Sequence, residues 1–105
     1  MSPGAGRQQL LESVSEQQFR AQVQAWAERR GWMVYFTWNS RHSPAGFPDL
    51  VLCRPPRLIV VELKAMRGKL EARQREWHSA LRAVAFVEVY IWRPTDEEAI
   101  EDILR

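Results

Sequence analysis

Two rhythms of apolar residues divide this chain. Phe19, Val23, Trp26 and Ala27 recur at helical spacing, with Ser15 and Gln18 placed as a capping box before them and Gly31 as a stop after Arg29 and Arg30, so the pattern predicts a helix from Ser15 to Gly31. Trp32 to Trp38 is dense in aromatic and β-branched side chains and predicts a strand. Leu50-Val51-Leu52-Cys53 and Leu58-Ile59-Val60-Val61 flank Arg54-Pro55-Pro56-Arg57, which predicts two buried strands joined by a tight antiparallel turn. Leu70, Trp77, Leu81 and Val84 mark the stripe of a second helix from about Glu71 to Val84. Phe86 to Trp92 is expected as a last strand, beside the one that runs into Glu62. Thr95 with Glu98 predicts a further capping box, opening a short helix through Ile100, Ile103 and Leu104. Residues 1–14 begin with Ser2, Pro3, Gly4 and Gly6 and are expected to be a flexible arm, leaving 15–105 as a single domain.

That order predicts an α/β fold with a mixed four-stranded sheet flanked by helices. Only the last strand, reached through a helix, is expected to run parallel to its neighbour. The hairpin also places chemistry. In a symmetric antiparallel turn, facing residues have numbers that sum to about 111 here, so Asp49 is expected opposite Glu62. Lys64 lies two residues further on and shares the face of Glu62. Two carboxylates at one end of an apolar hairpin repel each other unless a proton or a cation intervenes, and their oxygens suit Mg²⁺ or Mn²⁺. Lys64 is then placed to serve the attacking water or the charge developing on a phosphate. A salt-bridged structural cluster is the competing reading of the same three residues.

Pro48-Asp49 followed, after a hairpin, by Glu62-Leu63-Lys64 resembles the PD-(D/E)xK nuclease signature. Gly46-Phe47-Pro48-Asp49-Leu50-Val51, a Ser/Arg loop before it, Gln74 on a helix after it and a strand ending Val89-Tyr90-Ile91-Trp92-Arg93-Pro94 resemble the stand-alone VRR-NUC branch, over roughly residues 15–105. The resemblance implies a restriction-endonuclease-like core and a metal-dependent DNA endonuclease, acting on branched substrates such as four-way junctions or flaps. It implies that Asp49 and Glu62 hold Mg²⁺ or Mn²⁺, joined by the Leu63 carbonyl and by Glu16, with Lys64 as the third catalytic residue. Glu16 falls one turn before Phe19 on the apolar stripe, although a glutamate at the first helical position also suits the helix dipole. Gln74 is carried over as a site-supporting residue, with a partly exposed glutamine as the plainer reading. Arg41, His42 and Ser43 in the loop before Phe47, and Arg67 and Lys69 after Lys64, are expected to meet DNA phosphates, or else to be solvated turns.

Composition narrows the setting. A chain of 105 residues has room for one modest core and one site, so elaborate recognition calls for a second copy or a partner. Net charge is only +2, yet Lys occurs at positions 64 and 69 alone, and the other basic residues are arginines, the better bidentate partners of phosphate. Cys53 has no second cysteine to pair with, which suggests a reducing, cytoplasmic compartment. No apolar run approaches a membrane span. Five tryptophans, with Trp32, Trp38 and Trp92 at expected strand ends, suggest aromatic surface for a homodimer. The alternative function is a nucleic-acid-binding module that keeps the nuclease fold without cleaving.

Overall fold

A computed structural model describes residues 3–37 and 44–105, with side chains from Gly6 onward. Helix α1 spans Pro3–Ser13, α2 Glu16–Arg29, α3 Ala72–Arg82 and α4 Glu97–Leu104, while the strands are β1 Met33–Phe36, β2 Leu50–Arg54, β3 Arg57–Leu63 and β4 Val87–Trp92. The strands form one sheet in the order β1-β2-β3-β4, antiparallel at the first two junctions and parallel at β3–β4. This is the mixed α/β sheet, flanked by helices, of a restriction-endonuclease-like core.

Local sequence explains most of the boundaries. Ser15 Oγ accepts from the Gln18 N–H at 3.1 Å and Gln18 Oε1 accepts from the Ser15 N–H at 2.9 Å, closing the capping box that starts α2. Gly31, at φ +84°, follows the Arg30 cap. The hairpin register sets Leu50 opposite Val61 and Arg54 opposite Arg57.

Alternation then assigns the two faces of the sheet. Val34, Phe36, Leu50, Leu52, Ile59, Val61, Leu63 and Trp92 pack with Phe19, Val23 and Ala27 of α2 and with Ile100 and Leu104 of α4 to form the core. Helix α3 lies across the other face, where the Trp77 ring meets Phe47 edge-on at 5.1 Å.

The far end of the hairpin grips the carboxyl end of α4. Arg54 donates to the Leu104 and Arg105 carbonyls at 3.1 and 2.6 Å, and Arg57 donates to the Ile103 carbonyl at 2.8 Å. These bonds supply partners for carbonyls that a helix end leaves unpaired. Both guanidinium groups also approach the Trp32 ring, at 4.5 and 5.0 Å, and the Trp32 indole N–H donates to the Leu104 carbonyl at 2.9 Å. Arg57 makes two 2.7 Å bonds to Glu88, which hold that carboxyl below its ordinary range.

Several expectations need correction. Pro3–Ser13, expected as an arm without fixed backbone, is helical. The segment from Gln8 to Glu12 is rich in helix formers, and Glu12 is held by the Gln8 amide at 3.4 Å and by Arg67 across the fold at 3.4 Å. The stripe of α3 is shallower than its periodicity suggests: no residue of this helix is fully buried, and Val84 lies exposed beyond its end. Thr95 and Glu98 do not cap α4. Pro94 instead opens a 3-10 turn over Pro94–Asp96, and the Asp96 carboxylate accepts from the Arg93 N–H at 2.8 Å. Trp32 and Trp92 are buried, because the arginine pair and the core enclose them, and Trp38 lies outside the described residues.

Candidate active site at the strand ends of the hairpin

One position beyond Leu50 and Val61, the register makes Asp49 face Glu62. Gly46 shapes the approach. Its φ is +93°, and a Cβ there would lie 2.6 Å from the carbonyl carbon and oxygen of Arg73, so only glycine allows the loop to pass this close to α3. Pro48 is buried behind it. Asp49 is then tied down through its main chain, whose carbonyl accepts from the Thr37 N–H at 3.2 Å, and through its side chain, whose Oδ2 accepts from the Leu63 N–H at 2.8 Å.

Glu62 is 3% exposed, at the end of the most buried strand. The Gln74 amide, two turns of chemistry in one side chain, accepts from the Glu71 N–H at 2.9 Å and donates to Glu62 Oε1 at 3.0 Å. It thereby closes the start of α3 and fixes the carboxyl of β3. Burial first, and then the neighbouring Asp49 carboxylate, push the Glu62 carboxyl up to about 8, against the opposing pull of the Lys64 ammonium. Near neutral pH, with no cation between them, the Asp49 and Glu62 pair therefore holds a proton.

Lys64 is 6% exposed, and its Nζ stands 3.9 Å from Glu62 and 4.0 Å from Glu16. Its main-chain N–H donates to the Trp92 carbonyl at 3.0 Å, which continues the β3–β4 pairing beyond the sheet. The following turn is pinned by Arg93, which donates to the Ala65 carbonyl at 2.7 Å. Gly68 folds back until a Cβ there would lie 3.3 Å from Glu16 and 3.4 Å from the Lys64 stem.

A cavity of about 310 Å³ opens at this end, lined by Glu16, Gln17, Arg20, Asp49 and Leu63. The structure thus brings Asp49, Glu62, Leu63, Lys64, Gln74 and Glu16 into one neighbourhood. Glu16 is half exposed and reaches Lys64 without joining Asp49 and Glu62, and among the described residues no three acidic, histidine or cysteine side chains are close enough to share an ion. Two carboxylates beside a polar cavity fit Mg²⁺ or Mn²⁺, which take the rest of their shell from water, carbonyls and phosphate. They do not make a closed protein cage.

The remaining expected contacts separate. Arg41, His42 and Ser43 lie outside the described residues. Arg67 pairs with Glu12 of α1 at 3.4 Å, and Lys69 is exposed beside it in sequence. Sequence reasoning missed Gln17 and Arg20. Arg20 stands four residues after Glu16 and so shares its helical face, a signal that was present in the spacing.

Comparison with models of known protein families matches residues 3–91 to the VRR-NUC domain. No curated protein and no solved structure matches the chain.

Proposed function

Since the chain belongs to the VRR-NUC family of nuclease domains, we propose that it is a Mg²⁺- or Mn²⁺-dependent endonuclease that hydrolyses phosphodiester bonds of branched DNA, such as four-way junctions or flaps. The observation that carries this reading is the Asp49 and Glu62 pair, in which the buried Glu62 is raised to about 8 by burial and by Asp49 and is held by Gln74. The Lys64 ammonium, 3.9 Å from Glu62, opposes that rise without cancelling it.

Asp49, Glu62 and the Leu63 carbonyl would hold the ion, with Glu16 on the cavity wall beside them. When bound, the ion supplies Lewis-acid stabilisation of charge on the phosphate and a lower pKa for the water that attacks it. The protein's own groups do the rest. The Leu63 N–H and the Gln74 amide keep the two carboxylates in place, so little reorganisation is needed as charge develops. Lys64, enclosed by its strand and by the Gly68 turn, orients the water or offsets negative charge on the phosphate.

A homodimer suits this chemistry, because one small domain carries one site and a branched substrate offers two strands to cut. Support for it now comes from the exposed Met33 and Tyr35 on edge strand β1 and from Val84 and Phe86 before β4, in place of the tryptophans. Among the described residues no helix is long and apolar enough to cross a membrane. The unpaired Cys53 agrees with a reducing, cytoplasmic setting.

Titration calorimetry with Mg²⁺ and Mn²⁺, followed by single-turnover cutting of a flapped duplex, tests the proposal. Binding of either ion together with ion-dependent cutting is expected. No binding at millimolar concentration would overturn it, and DNA binding without cutting would identify the non-cleaving module instead.

A further inference from the structure

Arg20 occupies a place that the chemistry above leaves unused. It lies one turn beyond Glu16 on α2 and lines the same cavity as Asp49 and Leu63. Its guanidinium carbon sits 5.3 Å from the centre of the Phe36 ring, a contact that steadies the group without consuming its N–H donors. Among the described residues, no carboxylate lies within ion-pair distance of Arg20 and no oxygen accepts a hydrogen bond from its side chain. Glu16, its natural partner at this spacing, turns instead to Lys64 at 4.0 Å.

Other half-buried arginines of this chain behave differently. Arg54, Arg57 and Arg93 each commit at least one donor to a main-chain carbonyl, at 2.6 to 2.8 Å for the shortest such bond of each, and Arg57 commits two more to Glu88. Arg20 lines an open cavity with its donors uncommitted, so a ligand entering beside Asp49 can take them up. The planar fork of the guanidinium matches two oxygens of a phosphate.

We infer that Arg20 is a phosphate-binding residue of the site, gripping the non-bridging oxygens of a backbone phosphate on the α2 side of the carboxylate pair, while Gln74 braces that pair from the α3 side. The inference rests on the nuclease reading and adds to it the residue that holds the DNA strand in place. Arg20 lies on the opposite side of the sheet from α3, so the strand would enter between α2 and the ends of β2 and β3.

The test uses a fluorescent flapped DNA duplex in which single phosphates near the cut are replaced, one at a time, by neutral methylphosphonates. Wild type, Arg20→Gln and Arg20→Lys are compared in single-turnover cutting, in anisotropy binding with Ca²⁺ in place of Mg²⁺, and in thermal melting. Arg20→Gln should lose roughly 10- to 100-fold in binding or cutting, as expected for a charge-assisted bond, while melting like the wild type. Arg20→Lys should fall between, since it keeps the charge and loses the fork. One methylphosphonate position should weaken the wild type and leave Arg20→Gln no weaker than before.

Wild-type behaviour in Arg20→Gln would overturn the inference alone. So would a loss matched by a lower melting temperature, with every methylphosphonate affecting both proteins equally, because that pattern describes a structural residue. A wild type that neither binds the ions nor cuts would overturn the nuclease reading, and this inference with it.

Discussion

Gln74 donates to Glu62 across 3.0 Å, from the first turn of one helix to the end of the neighbouring strand. Its other amide atom is committed to the Glu71 N–H, so the side chain cannot flip without losing a bond on both sides. Replacing it by Ala should leave Glu62 buried with an unfilled acceptor. Such supporting partners typically cost about 10- to 100-fold in metal affinity or activity when removed. Calorimetry and cutting assays on Gln74→Ala should both show that loss, and Gln74→Glu should be worse, because it adds a third negative charge.

Lys64 should separate catalysis from metal binding, since an ammonium is not a ligand for a cation. Lys64→Ala is expected to bind Mn²⁺ as the wild type does and to cut about 100-fold or more slowly. Asp49→Ala and Glu62→Ala should lose both properties. Wild-type cutting by Lys64→Ala in a single-turnover assay would reject its role.

The metal-free protein should depend on pH through Glu62. Its carboxyl is raised from an ordinary 4.5 to about 8 in the folded state, so between those values the folded protein holds a proton that the unfolded chain has released. Stability from this group is complete below the lower value and is lost as pH climbs through the upper one. Melting temperature without metal should therefore fall between those pH values, and Glu62→Gln should flatten the decline. Adding Mg²⁺ should displace the proton, raise the melting temperature most at the alkaline end, and give a binding heat at neutral pH that varies with the ionisation enthalpy of the buffer.

Gly46→Ala should be disproportionately harmful for a one-methyl change. The new Cβ would sit 2.6 Å from the Arg73 backbone at a φ of +93°, so either the loop or α3 must move. A loss of about 2 kcal/mol or more in urea unfolding is expected, together with slower cutting, because the same shift displaces Asp49 and Gln74 from each other.

For assembly, light scattering at micromolar concentration should give twice the 12.3 kDa monomer mass. Tyr35→Glu on the exposed edge strand should return it to the monomer, and cutting of flapped or four-way DNA should then drop toward that of linear duplex. A wild type that scatters as a monomer and cuts all three alike would remove the dimer.

Much of this site was legible from the chain because its geometry is local to a hairpin. The Pro-Pro turn fixed the pairing, and the pairing fixed Asp49 against Glu62. Gln74 was legible through the family resemblance. Contacts that span the fold were not. Trp32 suggested exposed surface, yet Arg54 and Arg57 cover its ring from more than twenty positions away in sequence. The glycines near the amino end suggested an open arm, whereas Arg67 holds Glu12 of a helix there. Arg20 was readable as a neighbour of Glu16, but only the packing of α2 beside the strand ends makes it part of a cavity wall.

The turn from Arg54 to Arg57 has one more consequence, for how such a chain can change over time. Opposing residues in this hairpin are matched by counting outward from the turn, so what the segment transmits to the site is a length, not a composition. Apolar residues along either strand can be exchanged for others of similar size with graded effects. Adding or removing a single residue in β3 would instead send Glu62 and Lys64 to opposite sides of the sheet from those they now occupy, with no intermediate outcome. Descendants of this sequence are therefore free to drift in spelling between the turn and the carboxylates and barred from drifting in number.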